Sequence, residues 1–337
     1  MARFSRAGWV RDTCAALIAV AALALASQAS AQVDRPERLL SSVVGLHAVV
    51  PADARTAGSL GTERRGSGVV IDDGGLVVTI GYLILEAGQV EVVDRSGRRS
   101  PADILAYDHA SGFGLVRALD NLDAEPMALG DSSRLREDDL VIVASREDEQ
   151  SAAPAVVVSR RSFAGYWEYL LESAIFTSPP RLGWGGAALI DTDGRLVGIG
   201  SLIVSDAAQG PRPRPGNMFV PIDELKPILA DLLAQGRSTE PPRPWIGVYT
   251  EEAQGRLFVT RVATGGPAAQ AGIVAGDIIL TVEDQPVEGM ADFYRKLWAR
   301  GPAGVEVRLT VLHGTRTRDI TIKSDDRYNW LKLKTAY

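Results

Sequence analysis

Residues 182–189 read Leu-Gly-Trp-Gly-Gly-Ala-Ala-Leu and have the spacing of a G-N-S-G-G-P-L loop, which presents a nucleophilic hydroxyl on a glycine-rich turn. The glycines after the nucleophile position are present. The hydroxyl is not, because that position is Trp184. Indole cannot attack a carbonyl. Acyl transfer through a hydroxyl also needs a histidine base and a carboxylate to orient it. The chain has 3 histidines, His47, His109 and His313. His109 stands beside Asp108 and reads as a turn histidine. Ser111 and Ser178 read as ordinary loop serines. No His/Asp/Glu cluster has metal-ligand spacing, and no phosphate-cradling glycine motif is followed by lysine. No metal or other cofactor is expected.

The segments that would position these residues are short strands. Ser67–Ile71 and Leu76–Thr79 flank Asp72-Asp73-Gly74-Gly75, a hairpin signal. Residues 90–93, 104–107, 140–143, 155–158, 187–190 and 196–199 read as further strands. Many short strands at close spacing point to an all-β barrel or sandwich. A helix is expected to open at Pro221-Ile222-Asp223, with Leu225, Ile228, Leu229, Leu232 and Leu233 on one face and Gly236 as its stop. Residues 237–244, Arg-Ser-Thr-Glu-Pro-Pro-Arg-Pro, form a linker. Beyond it, strands are expected at 245–248, 257–262, 278–282, 305–312 and 317–322. Helices are expected at 268–271 and 290–299, with Phe293, Leu297 and Trp298 as core candidates.

The chain has 337 residues, 46% of them hydrophobic and 23% charged, as in a folded globular protein. Arg3, Arg6 and Arg11 precede an apolar run from Cys14 to Ala26, and Ala29-Ser30-Ala31 follows. This is the pattern of a secretory signal peptide over residues 1–31. Cys14 is the only cysteine and would leave with that segment, excluding disulfides and cysteine-ligated metals from the mature chain. An exported protein without disulfides suits the periplasm or envelope of a bacterium. Loss of residues 1–31 removes three Arg and one Asp and moves the net charge from -6 to -8. An acidic protein has no general field for nucleic acid or anionic lipid. The stretch 211–215, Pro-Arg-Pro-Arg-Pro, reads as an extended surface loop.

Three motifs together resemble the HtrA (Deg-type) serine protease family. They are Gly66-Ser67-Gly68-Val69-Val70-Ile71-Asp72, the strand–helix–glycine sequence from Asn217 to Gly236, and the run from Gly266-Pro267 to Asp277-Ile278-Ile279. The resemblance implies a mainly β fold, a trypsin-like double β-barrel over 38–236 followed by one PDZ domain over 245–325 and a tail over 326–337. Aligned with the family's T-N-x-H-V-V segment, Thr79–Ile84 puts Tyr82 at the base position. Aligned with D-x-x-x-D-L-A-V-L, Asp108–Val116 puts Gly112 at the carboxylate position. Trp184 then holds the nucleophile position, and none of the three catalytic roles is filled. A phenol of ordinary pKa about 10 is a poor base at neutral pH. Enzymes stripped of their triad keep only about 10³–10⁴ over the uncatalysed rate.

PDZ domains add a peptide C-terminus as a strand and hold its carboxylate on backbone N–H groups. By the resemblance, Trp245-Ile246-Gly247-Val248 is that carboxylate loop, with Ile246 and Val248 lining the pocket for an apolar terminal side chain. The alternative is a structural domain with its groove closed. In the tail, Tyr328, Trp330, Leu331 and Leu333 alternate with polar residues before the terminal Thr335-Ala336-Tyr337. The tail is either packed on the barrel or a PDZ ligand. Tyr166 and Trp167 read as inter-barrel core or a client-binding surface. The expectation for the whole is a non-catalytic envelope protein that binds polypeptide C-termini or misfolded proteins in quality control, as a scaffold, chaperone-like factor or regulator of an active HtrA relative. Family members form trimers, so a homo-oligomer is conceivable. Two alternatives are a serine endopeptidase with relocated catalytic residues and a structural envelope protein.

Overall fold

The computed structural model describes residues 40–147 and 151–333. The signal-peptide segment and the terminal Thr335-Ala336-Tyr337 lie outside the described residues. The first barrel is built from β1 (Val43–Val49), β2 (Glu63–Val70), β3 (Leu76–Ile80), β4 (Gln89–Val93), β5 (Arg99–Tyr107) and β6 (Phe113–Ala118). They close in the order β1-β2-β3-β6-β5-β4. The second uses β7 (Leu140–Ala144), β8 (Ala152–Gly165), β9 (Tyr169–Ser178), β10 (Ala188–Ile190), β11 (Leu196–Ala208) and β12 (Arg214–Pro221). Its order, β10-β11-β12-β9-β8-β7, is the first barrel's order displaced by six strands. This is a trypsin-like pair of antiparallel barrels. Closure leaves no unpaired edge within either sheet.

The hairpin expected around Asp72–Gly75 forms, with Val69 opposite Val78 and Val70 opposite Val77. The Asp72 carboxylate accepts from Leu76 N at 2.8 Å and fixes the turn. Side chains pointing inward, among them Leu46, Val69, Val77, Phe113, Leu115, Phe176 and Ile190, are all but inaccessible to water. One continuous apolar cluster runs through both barrels and takes in Ile222, Leu225, Ile228 and Leu232 from the segment after β12.

That segment is not one helix from residue 221. A 3-10 turn covers Ile222–Glu224, and the α-helix occupies only Leu229–Gln235. Pro227 explains the break: it has no N–H to donate and disfavours helical backbone at Lys226. Leu233, expected on the buried face, is 44% exposed. The stretch 211–215 is also only partly a loop, because β12 already starts at Arg214.

The third unit is a PDZ domain. It contains β13 (Val248–Ala253), β14 (Arg256–Val262), β15 (Ile278–Val282), β16 (Gln285–Pro286), β17 (Glu306–His313) and β18 (Arg316–Lys323), in the order β13-β14-β15-β17-β18, with β16 on β15. Strand β13 therefore lies at an edge. The first strand starts at Val248 and not Trp245, because Gly247 turns the chain at φ 82. Four α-helices precede or accompany these strands: α1 (Ala57–Leu60), α2 (Leu229–Gln235), α3 (Pro267–Gln270) and α4 (Met290–Trp298). Phe293, Tyr294 and Leu297 of α4 are fully buried, while Trp298 is only half-buried. A last short helix, α5 (Arg327–Trp330), is capped by Asp326, which accepts from Tyr328 N. Among the described residues no helix is long and apolar enough to cross a membrane.

Candidate functional site

The three positions aligned with a catalytic triad meet between the barrels. Tyr82 lies on a 3-10 turn, Gly81–Leu83, directly after β3. Gly81 N donates to Gly112 O at 2.7 Å, which sets the tight turn before β6 beside it. The Tyr82 hydroxyl donates to Ser201 O at 2.9 Å. It also accepts a side-chain hydrogen bond from Trp184, whose indole N–H can only donate. The loop carrying Trp184 is pinned to both barrels: Ser67 N donates to Gly185 O at 2.8 Å, and Gly186 N to Gly200 O at 2.9 Å. An indole and a phenol are thus bonded to each other at the two positions aligned with a nucleophile and a base. Burial drives the Tyr82 phenol well above its ordinary range, so it stays neutral.

The carboxylate position is closed as well. Gly112 has φ 86, in the left-handed region, and a Cβ there would lie 2.8 Å from the Tyr169 hydroxyl. That hydroxyl donates to Ser111 O at 2.6 Å. Tyr169 occupies the space a side chain at 112 would need.

His109 is held by groups other than a serine hydroxyl. Its ring nitrogens face the Tyr107 hydroxyl at 3.0 Å, Glu168 O at 3.1 Å and the Arg327 guanidinium at 2.8 Å. Burial and Arg327 hold the imidazole well below its ordinary pKa. The neighbouring Ser111 hydroxyl donates to Asp108 at 2.6 Å and not to the imidazole. Ser178 contacts Pro215 O. His47 lies 3.8 Å from Glu91, and His313 lies 2.7 Å from Asp277 in the PDZ domain. Among the described residues no group of three or more His, Cys, Asp or Glu side chains could hold a metal ion.

The aligned carboxylate loop of the PDZ domain presents its N–H groups to one side chain. Glu168 Oε2 accepts from Ile246 N at 3.1 Å; Oε1 accepts from Gly247 N at 2.6 Å and Val248 N at 2.9 Å. Glu168 belongs to the tip of the β8–β9 hairpin of the second barrel. Its own φ is 60, a left-handed conformation disfavoured by roughly 1–2 kcal/mol in a residue with a Cβ. Three backbone N–H hydrogen bonds to its carboxyl oxygens offset this. Trp245, beside the loop, is buried and packs on Trp330 with ring centroids 5.2 Å apart.

The hairpin continues the contact. Tyr166 O accepts from Thr250 N of β13 at 3.1 Å. The Tyr294 hydroxyl of α4 donates to Gly165 O at 2.9 Å and lies 3.2 Å from Glu168 N. Leu170 is buried in the PDZ apolar cluster with Ile246, Val248 and Leu297. Trp167 packs on the barrel core against Phe163 and Tyr169, as a core residue would, whereas Tyr166 is 54% exposed and meets the PDZ domain through its backbone O and its ring contact with Tyr249. Reading the sequence singled out these aromatics and missed Glu168, since one acid in a loop carries no local mark of its partners.

The tail is packed on the first barrel. The Tyr328 hydroxyl donates to Tyr107 O at 2.6 Å, Leu331 is buried against Leu85 and Tyr107, and Lys332 N donates to Glu86 at 2.7 Å. Trp330 Nε1 donates to Thr264 O of the PDZ domain at 3.0 Å. The tail thus ties both units together.

The family described as trypsin-like peptidase domain matches residues 66–199, and that described as PDZ domain matches residues 244–324. A trypsin-like barrel pair joined to a PDZ domain defines the class. The chain is 25% identical to serine protease Do-like HtrA of Lactobacillus helveticus, over 79% of this chain and 70% of that protein. It is 26% identical to serine protease PepD of Mycobacterium tuberculosis, over 81% of this chain and 64% of that protein. It is 25% identical to periplasmic pH-dependent serine endoprotease DegQ of Escherichia coli, over 78% of this chain and 60% of that protein. Its fold matches a structure of HtrA-type protease AlgW with decapeptide, at TM-score 0.51 and 21% identity, over 88% of this chain and 98% of that one. The chain belongs to the HtrA family.

Two outcomes follow. The triple substitution Tyr82→His, Gly112→Asp, Trp184→Ser restores the residue types but not the geometry, because Tyr169 fills the space at 112. No turnover of casein above the unsubstituted chain is expected; a rate of protease order would contradict the closed seat. The second concerns pH. Burial lifts Glu168 to about 7, against the three N–H donors and Arg327, which favour the ionised form. The ordinary value is about 4.3. A pKa raised by folding stabilises the native state fully below the ordinary value, and the contribution is lost as pH rises through the folded one. The Tm of the chain should therefore fall more between about pH 4.3 and 7 than that of Glu168→Gln, measured calorimetrically. Parallel curves would refute it.

Proposed function

We propose that this chain is a catalytically inactive HtrA-family protein that binds polypeptides. The reading is carried by one observation: Tyr82, Gly112 and Trp184 are packed together where nucleophile, base and orienting carboxylate would be needed. A buried neutral phenol removes no proton, and the indole that bonds to it attacks nothing. What remains is a scaffold with a loop built to hold a carboxylate. Its partners on this reading are polypeptide C-termini or misfolded proteins, and an active HtrA relative is a further partner if subunits mix in a trimer. The work is that of a scaffold, chaperone-like factor or regulator in quality control. A periplasmic or envelope location agrees with the signal-like residues 1–31 and with the location in the name of DegQ.

The names of the relatives favour a different reading. All of those described above are called serine proteases or HtrA-type proteases. On that reading the chain is a serine endopeptidase with relocated catalytic residues. His109 is the histidine nearest the seat in sequence, but its ring nitrogens face Tyr107, Glu168 and Arg327. The two readings separate in a casein assay combined with a fluorophosphonate serine probe. The inactive reading expects neither turnover nor labelling. Labelling of the pure protein, with turnover abolished by His109→Ala, would overturn it in favour of the endopeptidase.

A further inference from the structure

We infer that the tip of the β8–β9 hairpin is an internal ligand of the PDZ groove, which an external polypeptide C-terminus enters only by displacing it. The inference rests on the reading of residues 246–248 as a peptide-carboxylate loop. A C-terminal ligand satisfies such a domain in three ways: its carboxylate fills the N–H nest, its backbone pairs with the edge strand, and an apolar side chain enters the core beside the nest. The hairpin supplies all three. The Glu168 carboxylate takes the N–H groups of Ile246, Gly247 and Val248. Tyr166 O takes the N–H of Thr250 on the edge strand β13. Leu170 enters the apolar cluster of Ile246, Val248 and Leu297.

The direction is also that of an added strand. Residues 166 to 168 advance toward the nest while 248 to 250 recede from it, so the two segments run antiparallel. On the opposite wall the Tyr294 hydroxyl of α4 holds Gly165 O, and Arg295 makes a paired contact with Glu172 at 2.6 and 2.9 Å. The tip therefore lies between β13 and α4 and is gripped from both. An incoming carboxylate finds every nest donor taken.

The consequence is a latent binder. The apparent affinity for an outside ligand is its intrinsic affinity reduced by the fraction of molecules with an open groove. Occupancy that keeps nine molecules in ten or more closed lowers affinity by about tenfold or more. The ligand class is a free C-terminal carboxylate next to an apolar side chain, because those are the groups the hairpin imitates. Internal segments and amidated C-termini lack the carboxylate and compete poorly.

The test uses the full chain, Glu168→Ala and Glu168→Gln. Labelled decapeptides ending in Leu or Phe, as free acids and as amides, are titrated by fluorescence anisotropy. In parallel, chymotrypsin nicking after Tyr166 and Trp167 reports release of the hairpin tip. Expected are a gain of about tenfold or more for free acids in Glu168→Ala, a smaller gain in Glu168→Gln, no gain for amides, and faster nicking in both variants. Faster nicking with no peptide bound by any of the three proteins would uphold the internal ligand while removing the peptide-binding reading of function. Unchanged nicking together with unchanged affinity would overturn the inference.

Discussion

A single buried carboxylate joins the two halves of this molecule. Glu168 leaves the second barrel and ends on three backbone N–H groups of the PDZ domain. Taking a carboxylate out of water is expensive unless donors replace the water. Here the donors come from a different folding unit, so they offset part of that cost only when barrel and PDZ domain are docked, and burial still lifts the group to about 7. Leu170, Tyr294 and the tail then close around that contact. Glu168 thus sits at the centre of the contacts that hold the two units together, with Leu170, Tyr294, Arg295 and Trp330 around it.

The same hairpin also packs beside the position aligned with a triad carboxylate. Tyr169, the residue after Glu168, fills the space beside Gly112, and its hydroxyl holds Ser111 O. Trp167 stacks on Tyr169 with centroids 5.4 Å apart. One hairpin therefore reaches the PDZ nest with its tip and blocks the carboxylate seat with its return strand. Tyr82 and Trp184 complete the plug from the other side. The space between the barrels at these three positions is filled by aromatic packing, which is dense and directional.

Much of this was legible in the sequence, for identifiable reasons. Strands with inward apolar residues, such as those expected at 76–79 and 187–190, follow from apolar runs and turn residues, and they formed within one residue of those bounds. That Tyr82, Gly112 and Trp184 would come together was legible only through the resemblance to the HtrA family's motifs. Helix 221–236 was misjudged where the apolar period overrode Pro227. The function of Glu168 was invisible because its partners lie 78 to 80 residues away and are backbone atoms, which no side-chain pattern encodes. The tail's amphipathic spacing was legible, and what it packs on was not. Long-range docking through main-chain donors leaves no trace in composition or period.

The central claim is that the Ile246, Gly247 and Val248 amides are bonded within the chain in the absence of any partner. Amide hydrogen exchange on the ligand-free protein measures this most directly, with Glu168→Ala as reference. The account predicts slow exchange at these three positions and at Thr250 in the parent chain, and fast exchange at all four in the variant, with the core of β17 unaffected. Rapid exchange at 246–248 in the parent chain would contradict it.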